Sequence, residues 1–302
     1  MTHPAIPALG AAVFLALMAL PAKAASLDLR GGCAIAHAAL HEGGAGFAAD
    51  RLDVLLPGIP GAAFHAAHLH AESQGSGLPP AALEQAATAA AAGLLAAVSG
   101  HHDGGCPDPV LHEAADPLAH ALAAGGRADF VWTGISVRSG STRLGARRLS
   151  LHLDGSGGSA HLTAALDGAV SNDPAAGLLP EALAVRASLP ANQIPALLSG
   201  GHGAPVDVSI DQADARRGDT TLSGQGHATV AATPEDSSGQ GHLTAHGLDA
   251  LFDAATASGL GRLRTTLFLA KLVAHRQGDQ ADWDLAWQQG TLMINNVPLP
   301  LR

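Results

Sequence analysis

The chain has 302 residues, of which 47% are hydrophobic but only 3% are aromatic, and none is Tyr. It carries a formal net charge of −10 at pH 7, from 26 acidic and 16 basic side chains. This length can bury one large core or two ordinary ones. The acidic balance and the lack of a basic stripe exclude nucleic acid as a partner, because phosphates are neutralised by clustered Lys and Arg.

The first 24 residues have the pattern of a signal peptide. The apolar stretch at 11–20 is shorter than the roughly 20 residues of a membrane-spanning helix. It is followed by Ala22-Lys23-Ala24, a small-x-small cleavage pattern. We therefore expect export to the periplasm, with a mature chain that begins at Ala25. Retention of the segment as an anchor is the alternative; after cleavage, no remaining stretch is apolar enough to be transmembrane.

Cys33 and Cys106 are the only cysteines. In an exported protein, two cysteines most often form a disulfide. This disulfide would close a loop of about 74 residues and stabilise the fold by about 4 kcal/mol in the chain-entropy model. Two separate free thiols are the alternative. We expect thiol titration of the denatured, unreduced protein to find no free sulfhydryl, and two free thiols would rule the disulfide out.

Residues 25–126 contain strand patterns and Ala-rich helix patterns. Proline suits the first turn of a helix, so Pro79-Pro80 marks a helix start, and Asp108-Pro109 is a cap followed by a first-turn proline. Pro117 is expected to interrupt the second helix. The predicted elements are strands at 47–56 and 64–70, an Ala-rich helix to Val98, and the helix that begins at Asp108.

Residues 127–302 are dominated by apolar residues at every second position, which is typical of half-buried strands. Gly-Gln-Gly-His occurs at 224–227 and again at 239–242, in two segments that predict antiparallel strands joined by a loop. The alternation predicts one strand around Phe130 and Trp132 and a second around Ile135 and Val137. Further strands are predicted at 149–153, 162–166 and 184–189 and from Val206, with a closing hairpin at 283–294. A short helical piece at 192–198 and a helical segment at 248–276 are predicted between them.

These elements predict an α+β fold built on one large, curved antiparallel sheet, an open groove or half-barrel. Helices at 79–124 and 248–276 would pack on this sheet and cover all or part of its apolar face. Ten residues are predicted to point to that face and to line a ligand groove: Leu149, Leu151, Leu153, Leu162, Leu166, Val206, Val208, Ile210, Leu222 and Val230.

The C-terminal pattern Trp-x-Leu-x-Trp-x-x-Gly-x-Leu-x-Ile-Asn-Asn-Val-Pro-Leu, at 283–299, follows a tract of short Gly-punctuated strands and a helix. It resembles the end of a proteobacterial envelope family, domain of unknown function 2125. That family is similar in style to AsmA-like proteins, whose long curved sheets are thought to form hydrophobic grooves for lipids. The resemblance covers residues 130–302 best. It implies an envelope protein with an apolar groove, and it brings no catalytic residues to this chain.

Catalytic motifs are lacking in the sequence. There is no Gly-x-Ser-x-Gly elbow, and His112-Glu113-Ala-Ala-Asp116 lacks the second histidine of a zinc protease. We therefore predict a protein that is not an enzyme and has no cofactor. Its expected partner is an apolar small molecule or lipid, with other envelope proteins as further partners. The alternative is a structural or interaction protein of the envelope that has no ligand.

Histidine-rich segments are the strongest candidates for a metal site, because imidazole ligates transition metals. On a strand, His68 and His70 would share one face. Other histidines are scattered singly along the chain, however, so biased composition explains them better, and we predict no metal site. A His-rich metal-binding module is the third hypothesis. Its candidate ligands are His65, His68, His70, His101, His102, Asp103, His112, Glu113, Asp116 and His120.

Overall fold

The computed structural model describes nine stretches of the chain and shows mainly antiparallel sheet with few helices, which confirms the predicted α+β class in its coarse form. Every pair of neighbouring strands in these stretches is antiparallel. The described residues are 23–29, 34–43, 46–75, 77–98, 108–172, 179–198, 204–233, 235–257 and 268–299.

The described residues contain sixteen strands, all in one sheet. The first eight are β1 (Lys23–Leu29), β2 (Ala34–Gly43), β3 (Gly46–Leu55), β4 (Ala63–Gln74), β5 (Arg127–Ser139), β6 (Thr142–Ser156), β7 (Ser159–Asp167) and β8 (Val170–Ser171). The others are β9 (Ala182–Pro190), β10 (Val206–Arg217), β11 (Thr220–Val230), β12 (Ser238–His246), β13 (His275–Gln277), β14 (Gln280–Gln288), β15 (Thr291–Ile294) and β16 (Val297–Leu299).

Neighbours in the sheet are also neighbours in the chain, apart from two short strands. The order is β1 to β7, then β9 to β12, then β14 to β16, while β8 pairs with β6 and β13 with β14. Short turns suffice to join antiparallel strands, so a sequence of alternating segments folds readily into this meander. The sequence pattern divides the chain into residues 25–126 and 127–302. Strand β4 of the first region pairs with β5 of the second from Ala63↔Arg138 to Gln74↔Arg127, so one sheet runs through both regions.

Four helices have defined bounds within the described residues: α1 (Pro80–Val98), α2 (Asp108–Ala123), α3 (Ile194–Leu198), which follows a 3-10 turn at Ala191–Gln193, and α4 (Leu248–Ala257). Residues 268–273 are also helical. The chain forms α1 and α2 between β4 and β5, and both helices contact the same face of the sheet.

Helix α2 corrects one prediction, because it continues through Pro117 from Asp108 to Ala123. A proline inside a helix removes one backbone hydrogen bond and destabilises the helix. In α2, the apolar side chains of Leu111, Leu118 and Leu122 are all buried against the rest of the protein. Tertiary packing therefore outweighs the local penalty, which sequence periodicity alone does not show.

Two clusters of buried apolar residues lie on one face of the sheet. The larger cluster packs α1, α2 and α3 against the N-terminal strands, and its largest fully buried side chains include Trp132, Phe64 and Phe130. Most of the buried residues of α1 are alanines, whose small side chains let this helix approach the sheet closely. The smaller cluster contains Ala245, Ala281, Trp283 and Ile294 and lies on the C-terminal strands.

A break in alternation corrects a second prediction, since the two strands expected around Phe130 and Ile135 are the single strand β5. Its buried residues are Phe130 and Trp132 on one side of Gly134, and Ile135 and Val137 on the other. Gly134 has a φ of +61°, a left-handed conformation that glycine adopts without steric cost. One irregular residue thus shifts the alternation by one position while both halves still face the core.

The same break recurs at the same level in neighbouring strands. In β4 the buried residues change from Phe64 and Ala66 to Leu69 and Ala71. In β3 the change lies between Ala49 and Leu52, which pair with Leu69 and Ala66. The pairing register itself shifts between β2 and β3 and in β10, which marks bulges there. Such bulges bend the strand that contains them and increase its twist.

Several predictions fall on residues outside the described stretches. Cys33 and Cys106 are among them, so the disulfide stays a prediction; so are His101, His102 and Asp103. Most of the predicted signal peptide is also outside, although β1 begins at Lys23, two residues before Ala25. None of the described helices combines the length and hydrophobicity needed to span a membrane.

Candidate apolar binding site

One face of the sheet, from β6 to β14, carries three rows of residues that are all apolar or glycine; we call this the apolar face. Cross-strand pairing defines the rows, because directly paired residues of antiparallel strands point to the same side. The rows are Leu149–Leu166–Leu183–Ala215–Leu222–Ala245–Ala281, Leu151–Ala164–Val185–Ala213–Gly224–Leu243–Trp283 and Leu153–Leu162–Ala187–Ile210–Gly226–Gly241–Leu285.

All ten residues predicted for the groove lie on the apolar face, but the helices cover them to different extents. Leu153 and Val206 are 3% and 0% exposed and belong to the closed core. Leu149, Leu151, Leu162 and Val208 are half-buried and pack against that core. The other four, Leu166, Ile210, Leu222 and Val230, are half-buried. The helices therefore close over one part of the face and leave another part accessible.

An apolar cavity of about 360 Å³ lies between the C-terminal part of α1 and strands β5 to β9; we call it the first cavity. Only Leu149 and Leu166 of the ten predicted residues line it. None of the described residues in its wall has a polar side chain. The lining residues are Leu94, Ile135, Val137, Leu144, Gly145, Ala146, Leu149, Ala164, Ala165, Leu166, Ala169, Val170, Leu179, Pro180, Leu183 and Val185.

A second cavity, of about 200 Å³, lies beneath α4 and residues 268–273. Trp283 contributes to its wall, and the indole Nε1 donates a hydrogen bond to the carbonyl oxygen of Ala270 at 2.8 Å. This hydrogen bond satisfies the polar atom of the tryptophan, and the other described lining residues are apolar apart from Lys271. The lining residues are Leu222, Leu243, Leu248, Leu251, Phe252, Ala270, Lys271, Trp283, Leu285 and Ile294.

The two Gly-Gln-Gly-His copies pair with each other in antiparallel register. Gln225 lies opposite His242, Gly226 opposite Gly241, and His227 opposite Gln240. The glycines are therefore on the apolar face, while the Gln and His side chains point to the other, outer face. There they border an open depression of about 450 Å³ that also includes Asp284. The repeat separates a polar outer surface from an apolar inner one.

Histidines on the outer face form separate pairs with carboxylates. His65 Nδ1 is 2.7 Å from Asp53 Oδ1, and His70 Nε2 is 3.5 Å from Glu72 Oε2. Burial works to raise the pKa of Asp53, but hydrogen bonds from His65 and Arg51 outweigh it and leave that pKa below its ordinary value. Within the described stretches, no three His, Cys, Asp or Glu side chains come together as metal ligands.

The three candidate histidines of β4 thus lie beside different carboxylates, since His68 Nδ1 is 3.7 Å from Asp50 Oδ1. In α2, the Nδ1 of His120 is 2.8 Å from the carbonyl oxygen of Asp116. These side chains pair locally and do not converge on one point. The outer face is a solvated surface of imidazole–carboxylate pairs, and the apolar face is the better candidate for a functional site.

No protein-family model matches the sequence, and no curated protein or solved structure is significantly similar to it. The resemblance to domain of unknown function 2125 therefore stays a prediction.

Proposed function

We propose that this chain is an exported, non-enzymatic protein of the cell envelope that binds or transfers an apolar, lipid-like molecule on its apolar face. The first cavity is the observation that supports this proposal. The described residues of its wall are all apolar or glycine, and its volume of about 360 Å³ lies within the range of roughly 300–1,000 Å³ that small-molecule pockets occupy. An apolar ligand would bury its own surface there and would leave no polar group of the wall unsatisfied.

We further propose that the sheet curves into an open groove whose inner side is the apolar face. Two features support this curvature. The pairing register shifts between β2 and β3 and in β10, which marks bulges, and a bulge bends the strand that contains it. The helices also pack on the apolar side of the sheet. A groove of this kind would hold an elongated ligand along the rows of the apolar face, with its open part as the entry.

Leu166→Asp is expected to weaken binding of a fluorescent fatty-acid probe by more than tenfold. Leu166 is half-buried in the wall of the first cavity, and a carboxylate there would meet an apolar ligand with no partner for its charge. Affinity is measured by titrating the probe into wild type and variant. The matched control is Thr163→Asp, because Thr163 is on the same strand but exposed on the outer face.

A second variant separates loss of binding from loss of folding. Ala164→Phe fills the first cavity without adding charge and should also lower the affinity for the probe. Circular dichroism of this variant checks that the sheet is retained. Wild-type protein that binds no probe, or equal affinity in wild type and in both folded cavity variants, would reject the ligand hypothesis. An envelope protein with a structural or interaction role would then be favoured.

A further inference from the structure

Among the described residues that line the second cavity, Lys271 is the single charged one and the others are apolar. The ammonium group of Lys271 donates a hydrogen bond to Asp249 on α4. The side chains of Lys271 and Asp249 are 30% and 72% exposed, so this ion pair lies at the edge of the cavity. Ion pairs in such exposed positions contribute little to stability, and exchange of one carboxylate for another costs little.

Lys271 is the main cation acting on Asp249. The hydrogen bond from Lys271 and the charge of Lys271 lower the pKa of Asp249, and the positive charge of Arg276 acts in the same direction. An anion beside Lys271 would be attracted by its ammonium group, whereas a cation there would be repelled.

The floor between the two cavities is formed by small residues. Leu183 lines the first cavity and Leu222 the second, and Ala215 is the one residue between them in their row. In the next row, Ala213 and Gly224 separate Val185 from Leu243. Strands β9 and β11 are two strand spacings apart, or about 10 Å. Among the described residues, the apolar face thus continues from one cavity to the other along these two rows with only small side chains between them.

We propose that the ligand is a long-chain carboxylic acid or an amphiphile of the same class, with one anionic head and one unbranched apolar tail. The head lies beside Lys271 at the second cavity, and the tail crosses the floor of Ala213, Ala215 and Gly224 to the first cavity. This inference rests on the proposed function and names its ligand class. In this proposal, Lys271 recognises the anionic head, and the distance between the two cavities sets the preferred length of the tail.

The head is tested with palmitate and hexadecan-1-ol, which have tails of equal length but differ in charge. Wild type is expected to bind palmitate about fivefold more tightly, the preference that a half-exposed ion pair provides. Lys271→Met should remove this preference and leave hexadecanol affinity unchanged, while Lys271→Arg should retain it. Arg148→Met, which removes an exposed cation from β6, is the control for net charge.

The tail is tested with octanoate, which is too short to reach from Lys271 to the first cavity. Leu166→Asp and Ala213→Phe should each lower the affinity for palmitate by more than tenfold and change the affinity for octanoate by less than twofold. Circular dichroism confirms that each variant is folded.

Each outcome separates the two proposals. Equal affinity of wild type for palmitate and hexadecanol, or a preference that survives in Lys271→Met, would overturn the anionic head and leave apolar binding intact. Equal effects of Ala213→Phe on palmitate and octanoate would overturn the path between the cavities. If neither long-chain probe binds, the proposed function fails and this inference fails with it.

Discussion

Replacing Trp132 by alanine is expected to lower the free energy of unfolding by about 3–5 kcal/mol, the usual cost of removing a large aromatic side chain from a core. Trp132 is 2% exposed in the larger core cluster and stacks on Phe130 with ring centroids 5.8 Å apart. Its removal would leave a cavity beneath the helices that cover the sheet. Chemical denaturation followed by circular dichroism measures the loss.

Trp132→Phe is the matched variant, and it is expected to cost less than about 1.5 kcal/mol. The indole Nε1 of Trp132 is buried and has no hydrogen-bond partner among the described residues, so its loss relieves a cost that offsets the lost volume. Trp283→Phe should behave differently, because it leaves the Ala270 carbonyl oxygen without its donor. A stability change below 1 kcal/mol in Trp132→Ala would contradict the packing described for this core.

The strands were largely predictable because half-buried strands alternate at period two, and the closing hairpin and both Gly-Gln-Gly-His strands agree with the structure. The exceptions arise where backbone geometry or tertiary packing decides. Gly134 shifts the alternation inside β5, and the sequence pattern alone cannot separate such an irregular residue from a turn. Pro117 signals a break, but burial of its helix on the sheet overrides the signal.

The candidate site was less predictable, because alternation assigns a face and does not show what covers it. Alternation placed Leu153 and Val206 on the same face as Leu166, yet Leu153 and Val206 are buried in the core. Val185 was missed although its strand was predicted, and its alternation with Ala187 and Leu189 could have revealed it. Lys271 had no signal in the sequence, since its position beside an apolar cavity depends on how residues 268–273 pack on the sheet.

Gly155→Ala is expected to lower the free energy of unfolding by about 1–3 kcal/mol, the typical cost of forcing extra atoms into a packed contact. Gly155 is in β6, where the end of α2 approaches the sheet, and its backbone N–H donates a hydrogen bond to the Gly126 carbonyl oxygen at 2.9 Å. A Cβ at this position would lie 1.9 Å from the Leu122 carbonyl oxygen and 2.8 Å from its Cα. Backbone atoms cannot move aside as a side chain can, so α2 itself would have to shift.

The control is Gly145→Ala, which adds the same methyl group to the same strand. Its nearest neighbour would be a side-chain atom, Cγ2 of Val170, at 3.1 Å, and Val170 is 65% exposed, so a shift of a few tenths of an ångström relieves the contact. We expect this control to change stability by less than about 1 kcal/mol, because Gly145 has no positive φ and only a side-chain atom has to move. Urea denaturation of the two variants compares them directly. Helix α2 covers part of the larger cluster of buried residues. Equal stability of Gly155→Ala and wild type would therefore show that the helix does not rest on β6, and the closed part of the apolar face would have to be open.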